Sequence, residues 1–118
     1  MNGIVEITVK KKKHVLRFGM QGCFEFQLRS NENPTKNQAI ILTNLVYSGL
    51  YGECMANGKP EPDYKDVFVL MNDLYEEDNY SEQIGKVWEC FHQSKFGRDW
   101  MNAVTELGKK KADEEGSQ

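Results

Sequence analysis

From residue 4 to residue 18 apolar and polar positions roughly alternate. Ile4, Val5, Ile7 and Val9 interleave with Glu6 and Thr8, and Val15, Leu16 and Phe18 form a second short run around Arg17. A period near two in β-branched residues predicts strands, and two such runs predict a hairpin. The segment between them, Lys10 to His14, is too charged to be buried. Lysines at a hairpin tip also discourage edge-to-edge pairing. Residues 19–29 fit two periods. Phe24, Phe26 and Leu28 alternate with Glu25, Gln27 and Arg29, as in a strand, whereas Met20, Phe24 and Leu28 fall at i, i+4 and i+8, as on one helical face.

Beyond residue 34 the period becomes helical. Thr35 and Gln38 form a T-x-x-Q capping box, and Ile41, Leu42, Leu45, Val46, Gly49 and Leu50 mark a stripe. Asn57-Gly58, with Pro60 and Pro62 beyond, is a stop signal, so the spacing predicts a helix over residues 36–56. Asp63 is placed to cap a further helix, with Asp66 in its first turn and a broad stripe of Val67, Phe68, Leu70, Met71, Leu74 and Tyr75. Glu76, Glu77 and Asp78 end it. Asn79 and Glu82 form a second capping match, followed by Ile84, Val87, Trp88 and Phe91. Of these, Ile84, Trp88 and Phe91 are expected to face the hairpin or the 36–56 helix. Trp100, Met101, Val104 and Leu107 continue the pattern past Gly97, which either kinks one long helix or divides two. The expected fold is α+β: an N-terminal β-hairpin followed by a small bundle of three to five helices. Residues 1–108 are expected to form a single domain, and 109–118 a flexible charged tail.

A chain of 118 residues suits one domain, and 39% apolar with 28% charged residues excludes a disordered tail. No apolar run reaches the roughly 18 residues of a spanning helix. The opening MNGIVEITVKKKKH places charge after the apolar segment, the reverse of a signal peptide, so the expected location is the cytoplasm. The net charge of −3 is uneven: residues 1–30 carry +4, and residues 61–90 carry nine acids against two lysines. A net acidic chain is a poor duplex-DNA binder, and no nucleic-acid or membrane partner is expected.

Few residues here suit chemistry. Cys23, Cys54 and Cys90 are odd in number and far apart, which writes neither a disulfide framework nor a C-x-x-C site. Cys90 and His92 point about 200° apart on a helix and would leave a structural zinc short of four ligands. No G-x-G-x-x-G or GK[ST] phosphate cradle occurs, and nothing orients a Cys–His pair. No catalytic residue, cofactor or metal is therefore expected, and the chain reads as a non-enzyme. What stands out is aromatic residues with polar tips on helices. Tyr47, Leu50 and Tyr51, at turn spacing on one helix, are the candidate partner-binding residues.

The order of elements resembles a known family. A strand reading HVLRFGMQGCFEF precedes AIILTNLVYSGLYGECMANGKPEP, with small and aromatic residues around Tyr47-Ser48-Gly49-Leu50, and then DYKDVFVLMNDL and a helix with a charged end. Over residues 4–95 this is similar to the tail assembly chaperones of long-tailed bacteriophages and prophages. The resemblance implies that residues 19–29 are helical. It also implies a non-enzymatic protein of the bacterial host cytoplasm that binds the tape-measure protein, with the tail tube protein as a further partner, while the tube assembles. Weak homo-oligomerisation is expected, because many copies would cover one long partner. Two other classes stay open at this point: a small structural protein of the tail or head–tail connector, and a bacterial partner-binding regulator.

Overall fold

The computed structural model describes residues 3–32, 35–94 and 98. Two antiparallel strands, β1 (Ile4–Val9) and β2 (Lys12–Arg17), are followed by α1 (Met20–Glu32), α2 (Gln38–Ala56), α3 (Tyr64–Tyr75) and α4 (Tyr80–Gln93). This is an α+β fold with an N-terminal hairpin. Gly97, Trp100, Met101, Val104, Leu107 and the charged tail at 109–118 lie outside the described residues.

Only Lys10 and Lys11 form the hairpin turn, and both have positive φ, 50° and 66°. A two-residue turn of this sense matches the right-handed twist of the strands, although Asn-Gly is its usual filling. Lys12, Lys13 and His14, read as part of the tip, belong to β2 instead. Val5, Ile7 and Val9 pair with Leu16, His14 and Lys12, which places one apolar face of the hairpin on the helices. β2 packs on α2, while β1 packs on α3 and α4.

The 19–29 ambiguity resolves as helix: Gly22, Cys23 and Phe26 of α1 are buried, while Met20, Phe24 and Leu28 form an exposed stripe. Close approach to neighbouring backbone explains the small residues on these helices. A Cβ on Gly22 or Gly52 would collide with the Arg17 carbonyl oxygen, and one on Gly49 would lie 2.7 Å from Leu16 Cβ.

α2 lies between α1, β2 and α3, so every residue from Thr43 to Gly49 is buried. A helix covered on several sides needs no single stripe. Its buried hydroxyls stay satisfied within the helix: Thr43 Oγ1 donates to the Ala39 carbonyl and Ser48 Oγ to that of Asn44, both at 2.7 Å. The N-cap is Asn37 rather than Thr35, because Asn37 Oδ1 accepts from the amides of Ala39 and Ile40. Thr35 Oγ1 instead accepts from the Asn37 amide. At the other end the Lys59 amide donates to the Cys54 carbonyl at 2.9 Å across Gly58, whose φ is +65°. This bond closes the helix as the Asn57-Gly58 signal predicts.

Asp63 caps α3 through the Lys65 amide, with Asp66 in the first turn. Asn79 precedes α4 but makes no side-chain cap, since its Oδ1 accepts from Gln83 Nε2. Phe91 is fully buried and meets Phe18 and Phe26 edge-on, with centroids 5.7 and 5.0 Å away. Trp88 is only half-buried, and its ring meets Phe26 of α1 edge-on at 6.3 Å and Phe91 at 6.2 Å.

Candidate partner-binding surface

The three residues singled out from the sequence do not share one exposed face. Tyr47 is only 4% exposed, because it lies in the middle of the buried run of α2. Its ring stacks on Tyr51 with centroids 6.3 Å apart and meets Tyr64 at 5.4 Å. The Arg29 guanidinium of α1 lies 4.0 Å from the Tyr47 centroid and 5.2 Å from that of Tyr64. Arg29 Nε in turn donates to Glu25 at 2.9 Å, so the cation is held by two rings and a carboxylate. The Tyr64 hydroxyl donates to Asn44 Oδ1 at 2.7 Å. Burial pushes the phenols of Tyr47 and Tyr64 up from the usual range, and Arg29 opposes this in part. Tyr51 is half-buried. So is Leu50, which lines a separate shallow depression with His14, Pro62 and Leu70.

One accessible apolar surface lies on α3. Tyr64 continues the aromatic chain to Phe68, with centroids 6.1 Å apart, and there the chain reaches an open groove of about 500 Å³. Leu42 and Thr43 of α2 form one wall and Phe68, Val69 and Tyr75 of α3 the other; Tyr80 closes the end. Phe68 is 49% exposed, Val69 62% and Tyr75 69%. The α3 stripe is wider than its packing partners α2 and β1 cover. Val69 is the visible signal, an apolar residue at a position the helical stripe leaves to solvent. The exposed Met20, Phe24 and Leu28 stripe of α1 is a second apolar patch, at the positions whose helical spacing the sequence displays.

Among the described residues no cysteine is set up as an activated nucleophile. Burial, and secondarily the nearby Cys23 thiol, pushes Cys90 up, opposite to a reactive thiolate. Cys23 is buried and donates to the Phe18 carbonyl at 3.4 Å. Burial, then Lys12, lowers His14. Among the described residues no three His, Cys, Asp or Glu side chains converge on a metal position, and no helix is long and apolar enough to cross a membrane. In comparisons with known proteins the chain matches no family model, no curated protein and no solved structure.

Proposed function

We propose that this chain is a non-enzymatic tail assembly chaperone that acts in the host cytoplasm and shields the apolar stripe of the helical tape-measure protein until the tail tube encloses it. One observation carries the reading: the groove between α2 and α3 leaves Phe68, Val69 and Tyr75 largely open to water. Contiguous exposed apolar surface of this kind marks an interaction site, and an apolar groove between helices suits an amphipathic helix. The resemblance in element order supplies the partner. The exposed α1 stripe gives a second contact, through which several copies could line one long partner.

The test is light scattering of a purified tape-measure segment, alone and with the chain. The chain should keep the segment in solution, and Phe68→Asp with Val69→Asp should abolish the effect while leaving the fold intact. Failure of the parent chain to suppress aggregation would refute the reading. Stoichiometric retention of the chain in purified virions would refute it too, and would favour a structural tail protein.

A further inference from the structure

The fold already shows how it holds a cation: Arg29 rests over the rings of Tyr47 and Tyr64, with Glu25 fixing its Nε. Rings supply the quadrupole and the carboxylate sets the direction.

The corner between α3 and α4 assembles the same residue types. The rings of Tyr75 and Tyr80 lie 5.2 Å apart at 67°, with Glu76, Glu77 and Asp78 in the turn between them. Glu77 accepts from the Lys10 amide at 2.7 Å, and Lys10 Nζ pairs with Asp73 at 3.3 Å. Glu76 and Asp78 are exposed. Among the described residues neither has an ion-pair partner, and no cation lies over Tyr75 or Tyr80. The last turn of α3 contains no basic residue, so its negative dipole end adds to the same corner. Both tyrosines also line the apolar groove.

We propose that the groove receives a partner helix carrying an arginine or lysine beside its apolar stripe, and that this cation seats against Tyr75 and Tyr80 between Glu76 and Asp78. The inference rests on the helix-shielding reading and adds a charge rule to it. α3 rises about 10 Å from Phe68 to Tyr75. A partner helix lying along it therefore places its cation about seven residues from the apolar side chain seated at Phe68. The nine acids and two lysines of residues 61–90 select in the same direction, so a stripe flanked by acids is rejected.

The probe is a labelled helical peptide with leucines at i and i+4 and an arginine at i+7, titrated by fluorescence anisotropy at low and moderate salt. Three companion peptides replace the arginine by glutamine, the arginine by glutamate, or the leucines by serine. The arginine peptide should bind about fivefold tighter than the glutamine peptide, and the glutamate peptide weakest. That advantage should vanish on the double variant Glu76→Gln, Asp78→Asn, both exposed positions, and shrink on Tyr75→Leu. Equal binding of the arginine and glutamine peptides to the parent overturns the charge rule and leaves the groove reading standing. An advantage that survives the double variant, or a serine peptide that binds as well as the leucine one, also overturns the rule. If none of the leucine peptides binds, the groove reading falls with it.

Discussion

Gln83 on α4 serves Thr8 on β1 as a neighbouring strand would. The Thr8 amide donates to Gln83 Oε1 at 2.6 Å, and Gln83 Nε2 donates back to the Thr8 carbonyl at 2.9 Å. A two-stranded sheet has two open edges, and an edge invites another chain. The buried Gln83 amide closes the edge of β1 at Thr8, and Nε2 is held in place by Asn79 Oδ1 at 3.0 Å.

Gln83→Leu keeps the side chain's approximate size and removes both part-buried bonds to Thr8. Each such bond contributes about 0.5–1.5 kcal/mol net, so urea denaturation should show a loss of about 1–3 kcal/mol. A loss below about 0.5 kcal/mol, the level of an ordinary surface substitution, would show that water replaces the amide and that the edge is not closed by Gln83.

Two glycines should respond oppositely to alanine. A Cβ at Gly52 meets the Arg17 carbonyl, which is backbone and cannot rotate away, whereas one at Gly85 has nothing within 4 Å. Gly52→Ala should destabilise by about 1–3 kcal/mol despite the better helix propensity of alanine. Gly85→Ala should stabilise by about 0.5–1 kcal/mol. Melting curves of the two variants check the pair, and a stabilised Gly52→Ala would show that β2 stands farther from α2 than the structure has it.

Stability should fall at both ends of the pH range, for different residues. The Tyr47 phenol is raised above 10.0 by burial, so the native state keeps its proton longer than the unfolded chain. Its contribution is complete below pH 10.0 and is lost as pH rises through that range. Tyr47→Phe should flatten the alkaline loss without abolishing it, because Tyr64 is raised for the same reason. His14 is lowered below 6.5, first by burial and then by Lys12, so the native state binds fewer protons there. Stability is retained above pH 6.5 and declines as pH falls through it, and His14→Gln should remove that acid-side slope. Denaturant midpoints measured across the range report both, and an unchanged acid slope in His14→Gln would place the responsible group elsewhere.

Phe91 and Trp88 should rank by burial and not by size. Phe91 is fully buried between Phe18 and Phe26, so Phe91→Ala should cost about 3–5 kcal/mol. Trp88→Ala, removing a larger but half-buried ring that leans on Phe26, should cost less than Phe91→Ala in the same denaturation experiment. The reverse order would mean that Trp88 carries the packing between α1 and α4.

The candidate site was legible only in part. Tyr47 and Tyr51 do sit together, as their i, i+4 spacing requires, but the first is enclosed by α1 and α3. Aromatic residues with polar tips look the same in a sequence whether a neighbouring helix covers them or not. Val69 and the Met20, Phe24 and Leu28 spacing carried the true signal of exposure, which periodicity registers as just another apolar position.

By itself the sequence determined what depends on neighbours in the chain. The alternation of Ile7 and Val9 with Thr8 set the hairpin face, Asp63 set the start of α3, and Asn57-Gly58 set the end of α2. These follow from backbone hydrogen bonds and local sterics, which reach only a few residues. Tertiary structure decided the rest. Residues 19–29 fit two periods equally and became a helix that buries Cys23 and Phe26 against the rest of the fold. It decided that Asn79 would hold Gln83 rather than cap α4, because Gln83 was needed at Thr8. It also decided that Phe68, not Tyr47, would face water. Which side of an apolar helix is covered depends on partners twenty or more residues away, and their approach is set by Gly49 and Gly52 against β2, a contact that no local spacing encodes.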